Sequence, residues 1–230
     1  MLSNKNIFKL CISILLYVFG LNLNAQNPFI ENKKQFPQQV KAKINLPSGA
    51  LFIEEGKLVY AFYSGEQLAS IHDLRASKKQ IDAHSYVVEF IKSNADISTE
   101  LSQESKYHEN YFLGDQSKWA TNVRSYKSLH QYNIYNGIDF RYYIDQGKLK
   151  YDIVIQPNAN PKQIQMRYTG VENIKLYNNN VFINTSVNTV KESSPYAYQI
   201  INGNQVEVRC AYLLKKDILF FEFPEGYNQK

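Results

Sequence analysis

Apolar and polar residues alternate along most of this chain, and a period of two is the pattern of a strand with one buried face. Residues Ala50–Tyr63 predict two such strands joined at Glu55-Gly56, and Ser85–Lys92 predicts a third. The polar residues 76–84 between them predict a loop. Because no segment has a sustained 3.6-residue apolar stripe, the sequence predicts an all-β chain.

Two segments carry weaker patterns. Residues 93–106 (SNADISTELSQESK) are the most polar stretch, and they predict either a long connection or a short edge strand. Residues Asp115–Asn122 predict a single helical turn.

The clearest hairpin turns at Asp145-Gln146-Gly147-Lys148. Alternation on both sides of this turn predicts a single register, because a slip of one residue would bury charged side chains. The predicted buried face pairs Ile144 with Leu149, Tyr142 with Tyr151 and Phe140 with Ile153, and the outward face pairs Arg141 with Asp152 and Tyr143 with Lys150.

Further turns are predicted at Asn178-Asn179 and Asn202-Gly203, because asparagine and glycine tolerate the left-handed conformations of tight hairpins. A last strand is predicted at Ile218–Phe223. Short strands at this spacing, without helical crossovers, predict an antiparallel β-sandwich-like domain.

The first 25 residues have the three-part pattern of a secretory signal peptide. Lys5 and Lys9 are the basic region, Leu10–Leu21 is the apolar region, and Ala25 offers a small residue for cleavage. A membrane anchor is the alternative, but it needs about 20 apolar residues and this run is shorter. The sequence therefore predicts a leader at 1–25, a single β domain at 26–230, export, and no stable membrane span after cleavage.

Charge and cysteine content argue against a nucleic-acid-binding surface and against a reactive cysteine. Without residues 1–25 the chain has 24 basic and 21 acidic residues, a formal net charge of +3, and the basic residues are scattered. No continuous basic stripe marks a nucleic-acid surface, so we expect no nucleic-acid partner. Cys210 is then the single cysteine, and we expect it to be a small buried core residue.

Candidate catalytic and metal-binding residues form no recognisable constellation. His72, His84, His108 and His130 lie on different predicted elements and lack metal-ligand spacing. The outward carboxylates Asp139, Asp145 and Asp152 are expected to be solvated or paired across strands. Serine or cysteine nucleophile motifs are absent, although paired carboxylates for glycoside hydrolysis stay open because their separation depends on the fold. We expect no enzyme, no cofactor and no catalytic or metal site.

An ordered series of short motifs resembles a known family. The series comprises Phe29-Ile30-Glu31-Asn32, Asn110-Tyr111-Phe112-Leu113-Gly114, Lys118-Trp119, Tyr135-Asn136-Gly137-Ile138-Asp139, Leu149-Lys150-Tyr151-Asp152, Pro157, Asn160-Pro161, Tyr168-Thr169-Gly170 and Pro195-Tyr196-Ala197-Tyr198-Gln199, together with a strand at Val206–Tyr212. It resembles the uncharacterised N-terminal domain of large exported Bacteroidota proteins. Lys34 and Phe36 stand where that family tends to have glycine and tryptophan.

The resemblance implies a protein that continues into propeller-type repeats, immunoglobulin-like or PKD-like segments and a type IX sorting domain. It also implies another strand after Lys230. We therefore expect Ile218–Phe223 to lie at an open edge and the chain to self-associate or to take a partner's strand. The alternative is that Glu222, Pro224 and the polar tail shield this edge, so that the domain is self-contained. The family supplies no catalytic residues.

Two functions from different classes follow. The first is a non-catalytic structural or interaction module of the bacterial surface, whose partners are proteins or downstream modules. The second is a carbohydrate-binding module, for which 18 tyrosines, 13 phenylalanines and Trp119 supply stacking faces. Three or more coplanar exposed rings on one sheet face favour the glycan function, and other arrangements favour the interaction module.

Overall fold

A computed structural model describes residues 10–18, 28–70 and 80–229 of the chain. Strands dominate these residues. Their bounds are Leu10–Val18 (β1), Phe29–Glu31 (β2), Val40–Leu46 (β3), Gly49–Glu54 (β4), Lys57–Tyr63 (β5), Ala83–Phe90 (β6), Ser98–Tyr111 (β7), Ala120–Tyr135 (β8), Ile138–Asp145 (β9), Lys148–Ile155 (β10), Met166–Thr169 (β11), Asn173–Tyr177 (β12), Asn180–Asn184 (β13), Thr189–Glu192 (β14), Tyr196–Ile201 (β15), Asn204–Val208 (β16), Ala211–Lys215 (β17) and Ile218–Glu222 (β18).

In the residues that the structure describes, helical structure is confined to short pieces. They are one α-helix at Gly65–Ser70 (α1) and two 3₁₀ turns at Gln116–Lys118 and Pro161–Gln163. The first 3₁₀ turn confirms the predicted helical turn within Asp115–Asn122. In the described part of the chain, no helix has the length and apolarity needed to cross a membrane.

Each described strand pairing is antiparallel, which confirms the predicted all-β antiparallel class. One run of neighbours follows β7–β8–β9–β10–β1–β15–β16, a second follows β8–β2–β3–β4–β5–β6–β11–β18–β17, and β12–β13–β14 joins the end of β1. The sheet is almost closed on itself around one large apolar core, so its form departs from a sandwich of two separate sheets.

The β9–β10 hairpin has the predicted register at every position. Tyr142 lies opposite Tyr151 on the buried face, and Arg141 lies opposite Asp152 on the other. The outward face is less solvated than the alternation predicts, because Asp152 is buried. If Arg141 and Asp152 were both solvated, Arg141→Glu would cost only about 0.2–1 kcal/mol. Beside a buried carboxylate the cost should be larger, since the change would face one negative charge with another.

The asparagine turns are confirmed. Asn178 and Asn179 join β12 to β13 with φ of 46° and 56°, and Asn202 joins β15 to β16 with φ of 50°. The predicted edge strand within residues 93–106 is also present, but β7 is long rather than short and extends to Tyr111. Its side chains are mostly exposed, so its sequence lacks the apolar alternation that marks a strand.

The expectation of an open edge at Ile218–Phe223 is contradicted only for the first two residues of this strand. Strand β18 pairs along its length with β17, and its first two residues also pair with β11. The C-terminal tail folds back beyond it, where Asn228 N donates to Gln199 Oε1 (2.8 Å) and Gln199 Nε2 donates to Asn228 O (2.7 Å). A strand that is remote in sequence, β11, therefore pairs with the beginning of β18, and the second edge of β18 has no described strand partner from Phe220 onward.

The apolar run near the N-terminus fills a central position in the sheet. Strand β1 lies between β10 and β15, and it buries Leu10, Ile12, Ile14 and Leu16 to between 0 and 4% exposure. Full burial of each such side chain contributes roughly 1.5–3 kcal/mol. The sequence predicts these residues as most of the apolar region Leu10–Leu21 of a leader, and the rest of that leader, with Lys5, Lys9 and Ala25, lies outside the described residues.

Candidate functional site

The histidines that were candidates for metal binding lie apart. His84, on β6, contacts Gly170 O through Nε2 (2.6 Å) and Ser186 Oγ through Nδ1 (3.0 Å). His108 is on β7 and His130 is on β8, while His72 lies outside the described residues. Within residues 10–18, 28–70 and 80–229, no group of three histidine, cysteine or acidic side chains could hold a metal ion.

The three strand carboxylates of the β9–β10 hairpin are held in structural contacts. Asp139 Oδ1 accepts from Asn133 N (2.8 Å), and Asp145 pairs with Lys150. Asp152 Oδ1 accepts from Ser13 Oγ (2.7 Å) and from the Tyr143 hydroxyl (3.1 Å). Each carboxylate is therefore paired with a nearby donor, in line with the expectation of cross-strand pairing.

Cys210 is buried, as predicted, and burial raises its pKa to about 12. Its thiol is therefore protonated at neutral pH, whereas a reactive cysteine needs the thiolate. Cys11 on β1 is also buried, with a pKa raised to about 11 by burial and by the nearby Asp152 charge. Both thiols are packing groups.

Glu192, which the sequence pattern did not single out, is the most buried carboxyl group among the described residues, at 2% exposure. Its Oε1 accepts from the Tyr168 hydroxyl (2.6 Å) and its Oε2 accepts from the Tyr151 hydroxyl (2.9 Å). Burial raises the pKa of Glu192, and the two tyrosine hydrogen bonds lower it in part. We call these three residues the buried carboxyl cluster.

The period-two pattern of β14 is the sequence signal that indicates burial of the Glu192 carboxyl group. Val190 is fully buried on β14, and Glu192, two residues later, lies on the same face. Both carboxyl oxygens accept tyrosine hydrogen bonds and the side chain is buried, so a substrate cannot reach it. The buried carboxyl cluster therefore joins three strands (β10, β11 and β14) in the core.

The exposed apolar surface at the end of the β7–β8 hairpin is the best candidate for binding. Phe112, Leu113 and Trp119 are exposed by 54%, 80% and 38%, and together they form what we call the hairpin tip. Phe112 and Trp119 meet edge to face, with ring centroids 5.3 Å apart and planes inclined at 75°. Asp115 Oδ1 accepts from Ser117 N (2.8 Å) and caps the 3₁₀ turn between them.

The other exposed rings of the described chain lie on separate elements. Tyr107 is on β7 and is exposed by 79%, Tyr63 ends β5, Tyr132 is on β8, Tyr177 ends β12, and Tyr196 begins β15. The tip itself inclines its two rings steeply instead of presenting them in one plane. This arrangement differs from the coplanar rings on one sheet face that would favour a glycan platform.

A comparison with models of protein families identifies the family of this chain. The model described as "Domain of unknown function (DUF7948)" matches residues 29–230. The chain belongs to this family. The matched residues include β10 and β15, the two strands between which β1 lies. Strand β1 itself precedes the matched residues. No curated protein and no solved structure matches the chain.

Proposed function

We propose that this DUF7948 domain is an exported, non-catalytic interaction module of the bacterial cell surface or secreted fraction. The N-terminal pattern supports export, and the motif series described above supports a place among large exported Bacteroidota proteins. The hairpin tip carries the proposal, because three large apolar side chains are exposed there and two of their rings are in contact.

The tip has the composition of a protein-binding hot spot. Soluble monomers seldom expose contiguous apolar surface without a function, and tryptophan and other aromatic anchors dominate the energetics of protein interfaces. The tip is also held in shape, because the Asp115 cap and the Phe112–Trp119 contact fix its turn before any partner arrives. A prearranged surface loses less conformational entropy on binding.

The test is site-specific photo-crosslinking of the exported protein in the producing bacterium. A photo-reactive residue at Leu113 should give a discrete crosslinked product, and the same residue at Gln205, exposed on β16, should not. The crosslink at position 113 should disappear when Trp119→Ser is added. Equal crosslinking from both positions, or no effect of Trp119→Ser, would argue against a binding tip.

Carbohydrate binding is the second candidate, supported by the exposed rings of Trp119 and Phe112. Retention of the purified protein on insoluble polysaccharides separates the two functions. Retention that Trp119→Ser abolishes would favour the carbohydrate function. The interaction module predicts no retention on the same materials.

A further inference from the structure

Strands β10 and β15 form the two walls of a groove that is one strand wide. Because β1 is antiparallel to both, the walls run parallel to each other and lie two strand spacings apart, about 10 Å. Ile12 shows the arrangement, since it faces Ile153 on one side and Ala197 on the other. Each wall presents backbone donors and acceptors to whatever lies between them.

The groove favours a strand whose apolar and polar side chains alternate. The inward positions are filled by Leu10, Ile12, Ile14 and Leu16, all buried in the core. On the opposite face Ser13 Oγ donates to Asp152 Oδ1 (2.7 Å). Residues Leu10–Ser13 pair with both walls, whereas Ile14 and Leu15 pair with β10 alone and Leu16–Val18 pair with β14. A fitting strand therefore has apolar side chains at every second position and a small donor opposite Asp152, and it has about nine residues when it also follows β14.

The walls and the occupant differ in origin. Both walls lie inside the family match at 29–230, and β1 lies before it. Residues 10–18 also form the apolar part of the predicted leader, which export would remove. Removal would leave two facing strand edges and an uncovered core, and such edges recruit another extended chain.

We propose that the groove between β10 and β15 is a strand-binding site, and that in the exported protein it receives an extended apolar segment of a partner polypeptide where Leu10–Val18 lies here. The proposal rests on the export and leader removal contained in the proposed function. A second copy offers a poorer occupant. Its C-terminal segment, residues 224–230, is mostly polar in sequence, and Asn228 in it is already bound to Gln199.

The experiment begins with the full chain, produced without export, and uses two routes to vacate the groove. In one route, Ile14→Asp places a charge on the inward face of β1. In the other, a protease site inserted within residues 19–27 allows the wild-type segment to be cut and exchanged. The probe is a synthetic peptide of residues 9–19 with lysines added at each end for solubility, and hydrogen exchange of β10 and β15 is the readout.

Three peptides make the comparison specific. The native peptide should slow amide exchange in both walls by at least about tenfold. A Leu15→Asp peptide, changed on the outward face opposite Lys150, should retain this protection, and an Ile14→Asp peptide should lose it. Equal protection by all three peptides, or protection of neither wall by the native peptide in both routes, would overturn the strand-binding site.

The mass of the exported protein tests the occupant separately. A product that begins after Ala25 supports a vacated groove, and a product that keeps residues 10–18 overturns the partner strand in favour of the chain's own segment. These results are independent of crosslinking at the hairpin tip. If the peptide binds but the hairpin tip gives no specific crosslink, the tip's role in the proposed function is rejected and the strand-binding site is still supported.

Discussion

At the scale of single residues, the backbone of Lys34 is under strain. It adopts a φ of 85°, in a region that disfavours any residue with a Cβ atom. The resembling family tends to have glycine at this position, which removes the strain. Lys34→Gly should therefore raise the free energy of unfolding by up to about 1 kcal/mol in urea denaturation.

Gln39→Gly is the matched control for this change. Gln39 is also exposed and lies in the same loop, but its φ is not positive. Glycine there gains no relief and adds entropy to the unfolded chain, so the same measurement should show destabilisation of roughly 0.4–1 kcal/mol. If both variants changed stability in the same direction, strain at Lys34 would not be the cause.

Glu192 predicts a pH dependence of stability. Burial raises its folded pKa above the ordinary 4.5, so the folded state binds this proton more tightly than the unfolded state does. The contribution is fully present below the unfolded pKa and is lost as pH rises through the folded pKa. Glu192→Gln stays neutral and can still accept a tyrosine hydrogen bond, so it should gain stability relative to the wild type as pH rises.

Urea unfolding of the two proteins at pH 4 and pH 7 measures this effect. The unfolding free energy of Glu192→Gln minus that of the wild type should be larger at pH 7 than at pH 4. A constant difference at the two pH values would show that the carboxyl group does not titrate as its burial requires.

At the scale of elements, the β12–β13 turn offers a matched pair of asparagines. Both have positive φ, but only Asn179 extends to β17, where its Oδ1 accepts from Tyr212 N (2.8 Å) and its Nδ2 donates to Cys210 O (3.3 Å). Asn179→Gly should cost about 1–3 kcal/mol, because it leaves the Tyr212 amide without its acceptor.

Asn178→Gly should change stability by less than about 0.5 kcal/mol in the same denaturation assay. Its backbone carbonyl, which accepts from Asn180 Nδ2 (2.6 Å), is kept in the variant. Equal costs at both positions would assign the effect to the turn itself and not to the link with β17.

At the scale of the whole molecule, β1 makes the sheet continuous because it pairs with both β10 and β15. In the unexported full chain, Ile14→Asp should lower the unfolding free energy by more than about 3 kcal/mol, because it buries an unpaired charge at a position with 1% exposure. Leu15→Asp, the adjacent residue, faces outward opposite Lys150 and should cost much less. Thermal unfolding of both variants checks this, and equal costs would contradict the alternation of β1.

The local pattern alone determined much of this fold. The register of β9 with β10, the asparagine turns and the strands of Ala50–Tyr63 follow from alternation and turn chemistry over fewer than 20 residues. The exposed hairpin tip is a partial success. Sequence singled out Trp119, but it could not say that the ring lies 38% exposed at the end of two long strands.

Only the tertiary structure decided the rest, because each remaining feature joins residues far apart in the chain. Glu192 became a buried core carboxyl group when Tyr151 and Tyr168 were brought to it. Strand β18 gained its second neighbour from β11, and the apolar run at 10–18 gained a place between β10 and β15. A strand's pattern shows that one face seeks burial, but the partners that pair with its edges are set by the assembled sheet.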